Sequence, residues 1–119
     1  MHKNLPRFYH FINHFDKNHI RKLDKKIAII YREYSKKSNE NLIIEIRDYC
    51  KKIKKKFFIS KDLKLASKLN LDGVYLPSFY KALNTKRNFH KDFAIIGSAH
   101  TINEIKIKEK QGAKLIFIS

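Results

Sequence analysis

Three glycines, two prolines, one cysteine and no tryptophan occur in this chain of 119 residues. So few glycines exclude a nucleotide cradle of the Gly-rich type, which needs several of them to bring backbone amides onto phosphates. The single cysteine, Cys50, has no internal disulfide partner, which fits a reducing compartment. No apolar run approaches the roughly 18 residues of a membrane-spanning helix. The N-terminal stretch MHKNLPRFYHFINHF lacks the long apolar segment and small-residue cleavage site of a secretory signal. The expected location is therefore the cytoplasm, with no membrane partner.

Acidic residues are also scarce. The 11 Asp and Glu face 27 Lys and Arg, for a formal net charge of +16. Such a balance suits a nucleic-acid or other polyanionic partner. The composition argues for a different origin. The chain holds 22 Lys against 5 Arg, with 17 Ile and 9 Asn, the usage expected of an A/T-rich genome. Sites selected for phosphate contact favour Arg, whose planar fork binds it bidentately. The lysines also run through the whole chain. Nucleic acid is thus not the expected partner, although the diffuse positive field favours phosphorylated ligands. A basic RNA-binding module, or an inactive remnant, is the alternative reading.

What is present is a β–α rhythm. Short apolar runs occur at Arg7–Ile12, Ile27–Tyr31, Phe57–Ser60, Gly73–Leu76, Phe93–Ile96 and Lys114–Ile118. Most are continuous, the pattern of strands buried on both faces of a parallel sheet. Helical spacing fills the gaps at Asn39–Lys55, with Ser38 as N-cap, at Asp62–Leu69, and at Thr101–Gln111, where Thr101 and Glu104 form a capping box and Gly112 is the stop. A shorter helix is expected at Phe79–Thr85. Strand starts about twenty residues apart point to an α/β fold, either a doubly wound sheet or a TIM-type barrel. The first turn, Asn13-His14-Phe15-Asp16, has no glycine, which favours the barrel. A full barrel needs eight strands. Six predict a partial (β/α)8 barrel, the single domain 1–119, incomplete at the C-terminus and cut from a longer domain.

Barrel active sites lie at the C-terminal ends of the strands. There stands His100, in Gly97-Ser98-Ala99-His100-Thr101, at a helix start where an anion and proton exchange are both favoured. The alternative is that Ser98 and Thr101 only cap the helix and His100 packs at the rim. Arg32 follows a strand directly and suits phosphate or pyrophosphate, with a pair to Glu33 as its alternative. His10, His14 and His19 match no zinc spacing. Asp62 fits a helix start and Asp72-Gly73 a turn better than either fits Mg²⁺.

Four stretches carry a resemblance. Residues 57–78 read FFISKDLKLASKLNLDGVYLPS, Ile96–Thr101 read IGSAHT, Glu104 is followed by Glu109-Lys110-Gln111-Gly112-Ala113-Lys114, and Ile27–Glu33 read IAIIYRE. In this order they resemble the thiamine phosphate synthase/TenI family, whose motifs run "I-N-D…D-L-A…L-G-A-D-G-V-H-L-G-Q", "I-G-x-S-x-H-T", "E…A-x-x-x-G-A-D" and "Q-L-R-x-K". The resemblance implies a (β/α)8 barrel. It implies either a synthase joining a pyrimidine diphosphate to a thiazole phosphate with Mg²⁺, releasing pyrophosphate, or a thiazole tautomerase. Phosphorylated thiamine precursors are then the expected partners. Arg32 and Ser98 correspond to phosphate-binding positions, and His100 to the tautomerase acid/base. Several residues depart from the pattern. Ile30 replaces the Gln and Tyr34 the Lys of the second-strand motif. Lys61 replaces a Mg²⁺-binding carboxylate, with Asp62 one residue late, and would meet the pyrophosphate directly. Tyr75 stands for the His, Pro77-Ser78 for Gly-Gln, and Tyr80 for the second metal ligand. The expectation is a divergent member, using Mg²⁺ only if it is catalytically active.

Overall fold

The computed structural model describes residues 5–33 and 39–119. Six parallel strands lie in one sheet in chain order: β1 (Phe8–Ile12), β2 (Ile27–Tyr31), β3 (Phe57–Ser60), β4 (Gly73–Leu76), β5 (Ala94–Ala99) and β6 (Leu115–Ile118). Between them run α1 (Lys17–Lys22), α2 (Glu40–Lys52), α3 (Leu63–Lys68) and α4 (Ile102–Lys110). The sheet curls into a half-barrel, the partial TIM-type architecture expected from the strand rhythm.

The continuous apolar runs have the predicted cause, since both sheet faces are buried. Because side chains alternate along a strand, each run splits into two sets. The outward set, with Ile29, Tyr31, Phe57, Ile59, Val74, Leu76 and Ile95, packs under the helices through Ile43, Ile46, Cys50, Leu65 and Ala66. The inward set fills the concave side with Ala28, Ile30, Phe58, Tyr75, Ala94 and Ile96, and with Tyr9, Phe11, Leu115 and Phe117 from the two edge strands. Aromatic rings bridge this lumen. Tyr9 meets Phe58 at 5.7 Å and Phe117 at 5.2 Å between centroids, and Phe11 meets Tyr75 at 5.1 Å, all edge-on. The Tyr9 hydroxyl is buried with no hydrogen-bond partner among the described residues, and burial pushes its pKa up to about 12. Gly73 is required where β4 passes β5, because a Cβ there would stand 1.9 Å from the Ala94 carbonyl oxygen.

Three expectations need correction. The cap of α2 is Asn39, whose side chain accepts from the Leu42 amide; Ser38 lies outside the described residues. A further helix, α1, follows β1. It is capped by Asp16, which accepts from the amides of Asn18 and His19. Its single buried residue, Ile20, is too little to give a periodic signal. Finally, Phe79–Thr85 is not helical. A helix there would need its own carbonyls, but α4 takes them. The Tyr80 carbonyl accepts from Lys108 Nζ (2.7 Å) and Gln111 Nε2 (2.9 Å), and the Ala82 carbonyl from Gln111 Nε2 (2.9 Å). The Thr85 hydroxyl donates to the Gln111 carbonyl at 2.8 Å. Phe79 and Leu83, the apolar residues such a helix would bury, are exposed.

Candidate functional site

A cleft of about 400 Å³ opens at the C-terminal ends of the strands, lined by Phe11, Arg32, Tyr75, Pro77, Ser78, Phe79, Ser98, His100, Phe117 and Ser119. The alternation that builds the lumen also builds this mouth. Phe11, Tyr75, Ser98 and Phe117 are the last inward-facing residues of β1, β4, β5 and β6. Arg32 is the next inward position beyond β2. Three of the four residues proposed from sequence, Arg32, Ser98 and His100, are therefore brought together. Lys61 stands beside the cleft, its ammonium 5.7 Å from the centroid of the Phe79 ring.

Each side chain is oriented by a neighbour. The Arg32 guanidinium lies 4.0 Å above the Phe11 ring, a cation–π stack. Its backbone amide donates to the Ile12 carbonyl, extending the ladder past β2. Ser98 shares a 2.8 Å hydrogen bond with the buried Tyr75 hydroxyl. His100 Nδ1 and the Ser119 hydroxyl are 2.7 Å apart. In the turn from β3 to α3, Lys61 has a left-handed backbone, φ 69°, and its amide donates to the Tyr75 carbonyl at 2.9 Å.

The start of α4 is closed as a helix cap. The Thr101 hydroxyl accepts from the Glu104 amide (3.1 Å), and the Glu104 carboxylate accepts from the His100 amide (2.7 Å). That second bond is the main cause holding the Glu104 carboxyl below the ordinary carboxylate range. The capping half of the Thr101–Glu104 box is thus as predicted, but Glu104 reaches one residue further back than the cap itself. The His100 amide is consequently spent on the helix.

Divalent-cation chemistry finds poor support in these residues. Asp62 is the N-cap of α3, its carboxylate accepting from the Leu65 amide at 3.0 Å. At the second family metal position, Tyr80 packs against the outer core cluster. No group of three or more His, Cys, Asp or Glu among the described residues is arranged to hold a metal ion. The residues present do not fit a Mg²⁺ site of the family type.

Two further clusters differ from the mouth. His10 and His19, unremarkable in sequence, meet with their Nε2 atoms 2.9 Å apart, while His14 turns to Asn13. Burial, and then the charge of His19, lower the His10 pKa. At the opposite end of the strands, a groove of about 500 Å³ carries Arg47, Lys51, Lys54, Lys55, Lys56 and Lys68. Much of that charge is internally spent. Arg47 pairs with Asp48, Lys56 with Asp72 and Lys68 with Glu40, while Lys55 Nζ donates to the carbonyls of Asp24 and Ile27. The groove also sits at the carbonyl end of α2, where a helix repels anions.

Sequence reasoning placed the polar residues of the mouth but not its aromatic lining. Phe11, Phe79 and Phe117 read as core or surface in a linear pattern. Counting two-residue alternation back from the strand ends identifies Phe11 and Phe117 as lumen residues.

A family model described as thiamine monophosphate synthase (TMP-TENI) matches residues 20–119. A protein of Aquifex aeolicus (strain VF5), described as "Putative thiamine-phosphate synthase 2", is 28% identical over 124 aligned positions, covering 97% of this chain and 67% of that protein. Among solved structures, a thiamine phosphate pyrophosphorylase from Pyrococcus furiosus superimposes with a TM-score of 0.59 at 22% identity, over 77% of this chain. This likeness concerns the fold, and the chain spans only 46% of that solved chain. No helix among the described residues is long and apolar enough to cross a membrane. With the family model running from α1 to the last residue, the chain belongs to the thiamine monophosphate synthase family.

Proposed function

We propose that this protein binds a phosphorylated pyrimidine or thiazole of thiamine biosynthesis or salvage at the strand-end mouth, and that its catalysis diverges from the family synthases. The carrying observation is the convergence of Arg32, Ser98 and His100 on one cleft walled by the rings of Phe11, Tyr75, Phe79 and Phe117. The guanidinium meets the phosphate, and the rings take the flat heterocycle. Ser98, held by Tyr75, offers a hydroxyl to a phosphate oxygen. His100, with Nδ1 engaged by Ser119, presents Nε2 for proton exchange with the ligand. A cytoplasmic location suits this reading and the buried free thiol of Cys50.

The test is calorimetric titration of the protein with a phosphorylated thiazole and a phosphorylated pyrimidine. Saturable binding of at least one is expected, weakened about tenfold or more in Arg32→Ala, the loss of one charge-assisted contact. Absence of binding to both would refute the reading. His100→Ala should leave that affinity nearly intact while abolishing any thiazole tautomerisation.

A further inference from the structure

We infer that the mouth binds its phosphate or pyrophosphate group as a metal-free anion, with the ammonium of Lys61 and the guanidinium of Arg32 supplying the positive charge. The inference rests on the ligand reading above and deepens it.

The observation behind it is a distribution of carboxylates. A hard divalent cation is held through oxygen ligands, usually one or two protein carboxylates together with the substrate phosphates. Among the described residues, no Asp or Glu side chain lines the mouth. The acidic residues nearest the strand ends are all committed elsewhere. Asp16 caps α1, Asp62 caps α3, and Glu104 closes the start of α4 on the His100 amide. Glu33 follows Arg32, but its charge acts on the Tyr31 hydroxyl, raising that pKa after the larger effect of burial, and Tyr31 packs on the outer, helix-covered face. The residues outside the described range, 1–4 and 34–38, contain no acid.

Positive charge stands where carboxylates are missing. Arg32 is stacked on one cleft ring, Phe11, and Lys61 on another, Phe79. Lys61 keeps its place in a left-handed conformation that costs a lysine on the order of 1–2 kcal/mol, and such strain concentrates at functional positions. An ammonium on a flexible four-carbon stem reaches a phosphate oxygen as a point charge and needs no coordination shell. A cation held next to Lys61 would instead face like-charge repulsion.

Inorganic pyrophosphate is the probe. Its binding is measured by calorimetry in buffer containing excess EDTA and again with millimolar Mg²⁺. Binding in EDTA is expected to be at least as tight as in Mg²⁺, which complexes pyrophosphate in solution and leaves less of the free anion. Lys61→Met should weaken binding about tenfold or more in both buffers, the effect of one lost charge-assisted contact. Asp62→Asn, which keeps the helix cap, should change nothing. Binding that requires Mg²⁺ and is lost in Asp62→Asn would overturn the metal-free site while leaving the phosphate-ligand reading standing. No binding in either buffer would overturn both.

Discussion

Lys108 offers the sharpest test of how the mouth is supported. Its side chain is fully buried, 0% exposed, although it belongs to α4 and carries an ammonium. Its stem packs over Gly97 so closely that a Cβ there would stand 2.7 Å from Lys108 Cδ. Its head donates to the Tyr80 carbonyl and to Gln111 Oε1. Tyr80 ends the Pro77–Tyr80 segment, whose Pro77, Ser78 and Phe79 form one wall of the cleft. Substitution by Met keeps the stem and removes the head. The Tyr80 carbonyl retains Gln111 Nε2, whereas Gln111 Oε1 loses its donor in a buried site. An unsatisfied buried acceptor costs about 1–3 kcal/mol, partly offset by no longer burying an ammonium. The expected net loss is about 1 kcal/mol, or a fall in Tm of roughly 4 °C for a chain of this size. Urea and thermal unfolding followed by circular dichroism measure it. Pyrophosphate affinity should fall as well, by about threefold to tenfold, because one wall loosens. A Lys108→Met protein as stable as the parent, or more stable, would show that the ammonium contributes nothing net and refute the reasoning.

Other outcomes follow from the packing. The His10–His19 contact needs at least one neutral ring. His10 titrates below its ordinary value, so the unfolded chain takes up its proton first as pH falls. Stability is therefore held above about pH 6.5 and lost below it; urea midpoints between pH 7 and 5 should fall less in His19→Ala than in the parent, and equal slopes would exclude the pair as the cause. Gly73→Ala, with its Cβ 1.9 Å from a backbone oxygen and 2.7 Å from Phe58, should destabilise by more than about 4 kcal/mol or prevent folding, read by soluble yield and thermal unfolding; a loss below about 1 kcal/mol would mean that β4 and β5 are not in this register.

The fold was largely legible in sequence because its main signal is local. Runs such as Ile27–Tyr31 and Phe57–Ser60 announce strands buried on both faces, and Asn39–Lys55 carries one apolar stripe. What escaped depends on partners distant in the chain. The non-helical course of Phe79–Thr85 is held by Lys108 and Gln111, which no window around residue 80 contains. The short α1 has too few buried positions to show a period. At the mouth, Arg32, Ser98 and His100 were found because strand ends mark barrel sites. The closing of the α4 start by Glu104 was foreshadowed by a capping box, but the particular amide it takes depends on backbone geometry. The meeting of His10 with His19 needs the angle between β1 and α1, which nothing in their nine-residue spacing gives.

The order of the strands has a consequence for assembly. Every strand pairs only with its neighbours in sequence, so the sheet can grow one β–α step at a time, each step closing a short loop at low entropic cost. Tyr9 against Phe117 is different, because it joins opposite ends of the chain. Closing that contact brings together rings more than a hundred residues apart in the chain, a larger loop than any strand pairing closes. It ties the two edge strands of the described sheet together across the lumen, and loosening it should favour peeling of the sheet from its edges.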